Sequence, residues 1–535
     1  MKNLLISIQE YDDIREEVGL EMIASFLRKE SHIVKIIVIQ DANDCEKEIN
    51  QFEPDIVGIS AYLNNKDVVI EICKKIKKIN QKIFIGIGGY LPSYYPEEIL
   101  NASKDIDVAI IGEGELIWSD LVKRLEANDS LYDVKGIAYI LEGQYYINEP
   151  HETIKDMDMI PIQCRDMMVD NKLNYAYLST SRGCEKHCTF CCSSKFWKNE
   201  NGTWKGKCIE KIIEEIEYII KCYGIHTFHI QDNSFEDGMK ENKVMLFARE
   251  VIRRNLDISY HLNIRAEFYK KLNKKDIEIL KLSGLVSFFV GIESDNKYDL
   301  KLYGKTATIE DNHNAMELYR DNGVFVDIGF INFNPYSTAE SLRSNINFLG
   351  KYNKAAEIYL ISSRLMIFKG TSLYTKIQKD GLIKKGDFAD YYRYNYINEN
   401  IGFLAEYTHN IFEYLIKECN YSRVLVYALR YRYILENLKR RVTDLTFLAF
   451  INEIQERNNS LIVQVNDNNV NWFNKLIDIV TDNWDIKKAD EITDLYLNKE
   501  KINYFVSQLE KSNGILLKEL IKYNKKYLAI YKKYI

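Results

Sequence analysis

The sequence lacks any apolar stretch long enough to cross a membrane, and it lacks an excess of positive charge. A membrane-spanning helix needs about 20 consecutive apolar residues, and no such run occurs in the 535 residues. Lys and Arg number 72 against 78 Asp and Glu, which leaves a net charge of -6. Proteins that bind nucleic acid usually carry a basic surface. We therefore expect neither a membrane nor a nucleic acid among the partners.

An export signal and disulfide bonds are also not expected. Met1–Ile8 resembles a short strand and lacks the longer apolar region and small-residue cleavage site of a secretory signal. Disulfides are rare in a reducing compartment. We therefore expect a soluble, cytoplasmic protein whose ten cysteines are thiols or metal ligands.

Proline is scarce, and the last of the six prolines is Pro335. Because proline interrupts helices, the remainder of the chain is free to form long ones. We expect an all-α domain over residues 379–535. Its predicted helices are Ile411–Cys419, Arg423–Arg441, Leu445–Arg457, Asn471–Thr481, Lys488–Leu497, Lys501–Ser512 and Ile515–Tyr534.

Residues 1–150 alternate short apolar runs with amphipathic stretches, which predicts an α/β domain with a doubly wound parallel sheet, followed by a hairpin over residues 134–148. None of its strand–helix turns matches Gly-x-Gly-x-x-Gly, so a nicotinamide site is not expected. The predicted strands are Asn3–Ile8, Ile33–Ile39, Asp55–Ser60, Lys82–Gly88 and Val108–Gly112. The predicted helices are Gly19–Lys29, Cys45–Gln51, Asp67–Lys78, Pro96–Asn101 and Leu116–Ala127.

After a linker predicted for residues 151–175, the strand–helix alternation resumes over residues 176–378. It gives six units, fewer than a closed eight-stranded barrel requires. The predicted strands are Ala176–Ser181, Thr227–Asp232, Ser259–Glu267, Leu285–Glu293, Val324–Phe333 and Glu357–Ile367. The predicted helices are Ile209–Tyr223, Lys240–Arg254, Lys275–Ser283, Ile309–Asn322 and Ala339–Lys351.

Cys184, Cys188 and Cys191 stand close together directly after the first of these strands. Thiolates commonly hold iron–sulfur clusters, and three of them leave one iron of a four-iron cluster open to another ligand. A zinc site would normally have a fourth Cys or His at a second short spacing, and His187 is poorly placed to serve. Zinc and ordinary thiols remain as alternatives. We expect Cys192 to be a packing thiol.

The spacing of the three cysteines, with Phe190 before the last, resembles the signature of radical S-adenosylmethionine (SAM) enzymes. The resemblance implies a partial (β/α)6 TIM-type barrel over residues 176–378, with a [4Fe–4S] cluster on the three cysteines and SAM on the open iron. Gly291-Ile292-Glu293-Ser294 closely resembles a second motif of that family. The residues that the resemblance assigns to SAM are Phe190, Asp232, Arg265, Glu293 and Ser294.

The ends of predicted strands three to five in the first domain resemble the cobalamin-binding domain found ahead of many radical SAM cores. The residues that carry this resemblance are Ser60, Ala61, Tyr62, Gly88, Gly89, Tyr90, Gly112, Glu113 and Gly114. The Asp-x-His-x-x-Gly motif of other cobalamin proteins is absent, so we expect no histidine from this domain on the cobalt. The alternative is a flavodoxin-like domain that has lost its ligand and only packs against the core.

Together the two resemblances imply a cobalamin-dependent radical SAM enzyme. In that chemistry a 5′-deoxyadenosyl radical removes a hydrogen from an unactivated carbon, and methylcobalamin supplies a methyl group. The leading hypothesis is a C-methyltransferase acting on a peptide or natural-product intermediate, served by an electron donor such as flavodoxin or ferredoxin. The alternatives are a non-methylating enzyme (cyclisation, ring contraction or epimerisation) and a non-catalytic scaffold for a cluster or corrinoid. We expect the helical domain to set substrate specificity.

Overall fold

The computed structural model describes residues 1–10, 13–197, 204–238, 241–419, 421, 422, 424, 435, 436, 438, 439 and 442–523. Most of the predicted helix Arg423–Arg441 lies outside the described residues, as does the predicted helix Ile515–Tyr534 beyond residue 523. Among the described helices, none combines the length and apolar character needed to cross a membrane.

The first domain is a seven-stranded sheet with helices on both faces, which confirms the predicted doubly wound, Rossmann-like architecture. Its strands are β1 (Lys2–Ile8), β2 (Ile33–Ile39), β3 (Ile56–Ser60), β4 (Phe84–Gly88), β5 (Val108–Ile110), β6 (Ile137–Leu141) and β7 (Gln144–Ile147). The sheet order is β2-β1-β3-β4-β5-β6-β7, with β1 to β5 parallel and the predicted hairpin β6–β7 added antiparallel at the edge. Its helices are Val18–Lys29, Cys45–Phe52, Lys66–Ile79, Tyr90–Tyr94, Pro96–Ala102 and Gly114–Ala127.

The central strands of this sheet are buried on both faces, as expected for a parallel sheet covered by helices. Every residue of β3 is buried. On one face the Trp118 ring lies flat against the backbone, because a Cβ at Gly58 or Gly86 would stand 2.9 or 2.6 Å from it. The Trp118 indole donates a hydrogen bond of 3.1 Å to the Asn3 side-chain oxygen. The two glycines therefore let the largest side chain of the helix Gly114–Ala127 reach the sheet.

The second sheet has the strands β8 (Ala176–Leu178), β11 (Thr227–Ile230), β12 (Ser259–Arg265), β13 (Leu285–Glu293) and β14 (Phe325–Phe330). These strands are parallel and have the order β14-β13-β12-β11-β8. A separate antiparallel pair is formed by β9 (Ser181–Gly183) and β10 (Trp204–Gly206). The helices of this core that have ten or more residues are Ile209–Tyr223, Lys243–Arg253, Lys274–Ser283, Ile309–Asp321 and Ala339–Lys351. The shorter helices of the core are Ser193–Phe196, Lys297–Leu302, Ile358–Ser362 and Ser372–Lys379.

Two of the predicted strands of this core are wrong in detail. Predicted strand Ala176–Ser181 divides into β8 and β9, which belong to different sheets. Within predicted strand Glu357–Ile367, Ile358–Ser362 is a helix, and only Arg364 forms a β-bridge, to Phe333. Ile358, Leu360, Ile361 and Ser362 are all buried, and a short run buried all round carries no period that separates helix from strand.

The C-terminal region is helical, as predicted, with helices Glu399–Glu418, Leu445–Asp482, Ile486–Leu497 and Lys499–Tyr523. The predicted helices Leu445–Arg457 and Asn471–Thr481 are wrong as separate elements, because they form one helix of 38 residues. Their polar connection is buried against the core. Asn466 donates to the carbonyl of Gly350 at 3.1 Å, and Asn469 donates to that of Ala355 at 2.8 Å. The asparagines thus attach this helix to the barrel.

The predicted linker over residues 151–175 packs against both sheets. Its Arg165 is buried and lies 3.1 Å from Glu16 of the first domain and 2.9 Å from Glu215 of the core. Lys207 approaches the other oxygen of Glu215 at 2.6 Å. One guanidinium therefore joins a carboxylate from each of the two α/β units.

We expect Arg165→Met to lower the free energy of unfolding by about 3–5 kcal/mol, because it leaves the Glu16 carboxylate buried without its cation. Urea denaturation followed by circular dichroism measures the change. Arg253→Met is the matched control, since Arg253 is 68% exposed and, among the described residues, pairs only with Glu250 of its own helix. It should cost less than about 1 kcal/mol. Equal losses in the two variants would contradict a structural role for the buried arginine.

Candidate active site

Cys184, Cys188 and Cys191 lie on one loop after β9, and all three are half-buried. The loop is held by neighbouring elements at Thr189. The Thr189 amide donates to the carbonyl of Tyr303 at 2.9 Å, and the amide of Leu373 donates to the Thr189 carbonyl at 2.9 Å. The Thr189 hydroxyl donates to the Leu302 carbonyl at 2.6 Å. The cysteine loop is therefore fixed against the ends of two core helices.

Zinc and a four-iron cluster make different demands on the cysteine loop. A zinc ion needs ligands that converge on one point, whereas a four-iron cluster takes its thiolates on different iron atoms. Among the described residues, no three His, Cys, Asp or Glu side chains converge as ligands of a single metal ion.

The surroundings of Cys184 combine a cation with an acidic side chain. The Arg265 guanidinium lies 3.7 Å from the Cys184 sulfur. It also donates to Asp237 at 2.5 Å and to the Ser234 hydroxyl at 2.9 Å. Burial and the nearby Asp237 raise the pKa of the Cys184 thiol to about 12. Arg265, which the family resemblance assigns to SAM, thus lies against a cluster ligand.

Asp232 and Ser294 are turned into the protein interior. Both side chains are fully buried. One oxygen of Asp232 accepts from the amides of Thr180 and Ser181 at 2.8 and 2.9 Å, and its other oxygen contacts the Thr180 hydroxyl. The Ser294 hydroxyl lies 2.9 Å from both Asp299 and Asn345. These two residues brace the strand ends and are not open to a ligand in this structure.

Phe190 and Glu293 lie beside the cysteine loop. The Phe190 ring meets the Tyr303 ring edge-on at 5.4 Å. Glu293 ends β13 with a left-handed backbone (φ 69°), a conformation that costs about 1–3 kcal/mol outside glycine. Its carboxylate lies 3.5 Å from Lys305. Burial is the main cause that raises the pKa of the Cys188 thiol. The charge of Lys305 lowers this pKa, and the charge of Glu293 raises it. Of the five residues assigned to SAM, Phe190, Glu293 and Arg265 are thus only partly buried, whereas Asp232 and Ser294 are fully buried.

A cavity of about 320 Å³ lies between the ends of the first sheet's strands and the cysteine-bearing side of the core. Eight of the nine residues predicted for cobalamin line it: Ser60, Tyr62, Gly88, Gly89, Tyr90, Gly112, Glu113 and Gly114. A Cβ at Gly112 would meet nothing within 4 Å, and one at Gly88 only Ile110 at 4.0 Å. The glycines therefore leave open space at the ends of β4 and β5, which suits a bulky ligand. No histidine is among the described lining residues.

Ala61 is the exception among the nine. It is fully buried, its amide donates to the Gly88 carbonyl at 2.8 Å, and its own carbonyl accepts from Leu91 at 3.1 Å. A Cβ at Gly89 (φ 101°) would stand 2.9 Å from that carbonyl. Ala61 therefore shapes the cavity from behind by holding the glycine turn in place.

Glu17 also lines the cavity and was not singled out from the sequence. Its carboxylate accepts from the Tyr62 hydroxyl at 2.5 Å and from the hydroxyls of Ser60 and Ser7 at 3.2 and 3.4 Å. Burial raises its pKa. It precedes the helix Val18–Lys29 with no motif around it, so only the fold brings it to the strand ends.

A buried ionic cluster joins the cavity to the cysteine loop, and we call it the Arg182 cluster. Arg182 contacts Glu115 closely and lies 3.5 Å from Glu113, and Lys205 of β10 contacts the same Glu113. All four side chains are at most 8% exposed. Two cations thus balance two carboxylates. Arg182 is two residues before Cys184, so the cluster connects the end of β5 with the cysteine loop.

Aromatic side chains form a second contact between the two units. The Tyr94 hydroxyl donates to the Cys192 carbonyl at 2.5 Å, and the Tyr90 ring lies 4.7 Å from that of Phe196. The Cys192 thiol packs in the same hydrophobic cluster, as predicted. The cavity and the cysteine loop are therefore parts of one site.

Comparison with known protein families agrees with this two-part site. The B12 binding domain family matches residues 8–122, and the radical SAM superfamily matches residues 178–349. An uncharacterized methyltransferase of Pyrococcus horikoshii is 30% identical over 344 residues, which are 62% of this chain and 73% of the relative. The two families thus occur in the order that the sequence predicts.

Two further relatives have names other than methyltransferase. The anaerobic magnesium-protoporphyrin IX monomethyl ester cyclase of Rubrivivax gelatinosus is 26% identical over 349 residues, 62% of this chain and 61% of its own length. The 4′-phospho-dehydrooxetanocin synthase of Priestia megaterium is 26% identical over 375 residues, 64% of this chain and 50% of its own length. The match thus spans between half and two thirds of these two relatives.

Solved structures show the same fold. The cobalamin-dependent SAM radical enzyme OxsB, with aqua-cobalamin and SAM bound, superposes with a TM-score of 0.70 at 20% identity, covering 100% of this chain and 83% of that one. The radical SAM methyltransferase TsrM from Kitasatospora setae superposes with a TM-score of 0.58 at 15% identity, covering 72% of this chain and 77% of that one.

We expect Gly88→Leu to reduce cobalamin binding at least about tenfold, because the new side chain fills the open space at the end of β4 while meeting little protein. Bound cobalamin is measured from its visible absorbance after gel filtration. Gly514→Leu is the matched control, since a Cβ at Gly514 also meets nothing within 4 Å and the residue lies in a distant C-terminal helix. Full cobalamin loading of Gly88→Leu would contradict the assignment of this cavity.

Proposed function

The chain belongs to the cobalamin-dependent radical SAM enzymes, and we propose that it is a C-methyltransferase that acts on an unactivated carbon of a peptide or natural-product intermediate. Its cofactors are a [4Fe–4S] cluster, SAM and cobalamin. We further propose a flavodoxin or ferredoxin as electron donor, and the cytoplasm as its location.

The observation that carries the proposal is the meeting of the cobalamin-type cavity with the cysteine loop. Arg182 and its carboxylate partners join the end of β5 to the residues just before Cys184. A methyl carrier and a radical generator must both reach the same substrate carbon, so their sites have to face a common space. The name of the Pyrococcus relative supports the same reaction.

When bound, the cofactors supply the hard chemistry: electron transfer into SAM from the cluster, and a methyl group from cobalamin. The chain supplies position and a dry environment. We propose that Cys184, Cys188 and Cys191 hold the cluster with one iron open. Phe190 and Glu293 would then lie next to SAM. Arg265, at 3.7 Å from the Cys184 sulfur, places a fixed positive charge that stabilises the thiolate form of that ligand.

Asp232 and Ser294 are assigned a positioning role in this proposal instead of contact with SAM. Asp232 holds the amides of Thr180 and Ser181 at the start of β9, which leads into the cysteine loop. The remaining cavity residues are proposed to line the corrinoid, with no histidine from the first domain on the cobalt.

A non-methylating radical reaction is the second candidate. The observation that favours it is the similarity to a cyclase and to a dehydrooxetanocin synthase at 26% identity each. Both candidate reactions would use the cysteine loop and the cavity. They differ in whether a methyl group leaves SAM.

We expect protein reconstituted anaerobically with iron, sulfide and cobalamin to convert SAM, under a strong reductant, into 5′-deoxyadenosine and S-adenosylhomocysteine. Mass spectrometry quantifies both products. Formation of S-adenosylhomocysteine only when cobalamin is present would support methyl transfer. 5′-Deoxyadenosine alone would favour the second candidate, and neither product would favour a non-catalytic scaffold.

Cys184→Ala, Cys188→Ala and Cys191→Ala should each lower 5′-deoxyadenosine formation at least about a hundredfold, because an iron loses its protein ligand. Cys222→Ala is the control, since that thiol is exposed on a core helix away from the loop. Cleavage of SAM that persisted in the three variants without bound iron would refute the assignment of the cluster.

A further inference from the structure

Residues 364–368 present two different faces next to the active site. Leu365 and Ile367 are buried, at 1% and 3% exposed, whereas Met366 between them is 45% exposed. This alternation is typical of extended chain, and the β-bridge of Arg364 to Phe333 agrees with it. Arg364, Met366 and Phe368 therefore share the open face.

The open face begins where the two cofactor-binding units meet. The Phe368 ring lies 6.3 Å from that of Tyr94 and 5.5 Å from that of Tyr391. Tyr94 donates to the carbonyl of Cys192, next to the cluster cysteines. Four residues of extended chain span about 13 Å, so Arg364 lies roughly that far along the face from the junction.

Arg364 is half-buried, yet its guanidinium has no anionic partner among the described residues. It contacts the face of the Tyr392 ring, whose centroid lies 4.1 Å from the guanidinium carbon. In contrast, the buried Arg165 and Arg182 are each paired with two carboxylates. Arg364 is therefore a cation that the described carboxylates leave unbalanced and with which an anionic ligand could pair.

The groups around Arg364 hold it without neutralising it. Burial raises the pKa of Tyr394 and of Tyr396, and the positive charge of Arg364 acts in the opposite direction on both pKa values. It also contributes, after burial, to lowering the pKa of His409. A histidine with a lowered pKa is uncharged at neutral pH, so it does not compete for an anion. The Arg364 guanidinium carbon lies over the face of the Tyr392 ring, which a cation–π interaction favours.

We infer that Arg364 binds an anionic group of the substrate, a carboxylate or a phosphate, at the end of the open face away from the junction of the two units. A planar guanidinium presents paired N–H donors that match the paired oxygens of either group. The exposed Met366 side chain between Arg364 and Phe368 offers an apolar contact for the connecting part of the molecule. The inference rests on the proposed function, which places the reacting carbon of the substrate where the cavity meets the cysteine loop. It narrows the substrate class to anionic molecules.

Site-resolved modification by phenylglyoxal, which reacts with arginine, tests this inference on reconstituted protein that is not turning over. Peptide mass spectrometry measures the modification rate at Arg364 with inorganic phosphate, with succinate, or with sodium chloride at equal ionic strength. We expect at least one of the two anions to slow the reaction at Arg364 at least about threefold in a saturable manner. Arg320, 52% exposed and paired with Asp321, is the control in the same samples.

Protection by phosphate alone would indicate a phosphorylated substrate, and protection by succinate alone a carboxylate. No protection by either anion, or equal protection at Arg320, would overturn the inference. Tyr392→Leu should raise the anion concentration needed for half-protection at least about threefold, whereas Tyr392→Phe keeps the ring and should not. Because SAM is not consumed, a negative result here leaves the SAM cleavage assay unaffected, and the reverse also holds.

Discussion

The buried pairing of Arg182 with Glu113 and Glu115 is the interaction on which the site depends. Ion pairs removed from water stabilise a protein little when compared with apolar residues of the same size, but a single unpaired member is strongly destabilising. The Arg182 cluster therefore acts mainly as a constraint on geometry. In the observed relative position of the two sheets all four charged groups are paired, and that position sets the cysteine loop beside the cavity.

Ion pairs and apolar packing also constrain the remainder of the contact between the two α/β units. Arg165, in the segment that connects them, binds Glu16 on one side and Glu215 on the other. Residues near 390 then close the junction from the C-terminal side, because Phe388 and Tyr391 pack in the hydrophobic cluster of the first domain. Lys66 of the first domain also pairs with Asp387 at 2.6 Å. Cofactor sites on separate sheets are thus held in register by contacts at several places.

The sequence predicts the first sheet well because its strands are short β-branched runs separated by amphipathic helices, and each element forms largely by itself. Prediction of the cavity residues depends on the rule that parallel strands bind ligands at their carboxyl ends. Predictions that depend on what surrounds an element are poorer. The run Ile358–Ser362 is buried all round and turned out helical. The predicted helices Leu445–Arg457 and Asn471–Thr481 are parts of one helix, in which Asn466 and Asn469 between them are buried hydrogen-bonding groups.

Residues at the strand ends of the core divide into those that meet a ligand and those that hold the strand ends in position, and sequence cannot separate the two. Asp232 lies two residues after β11, Glu293 ends β13, and both carry a carboxylate. Asp232 accepts hydrogen bonds from the backbone amides of Thr180 and Ser181, whereas Glu293 has a strained backbone and a lysine 3.5 Å away. Strain of this kind persists only where the surroundings enforce it. The difference lies in hydrogen bonds to distant backbone groups, which exist only once the sheet has formed.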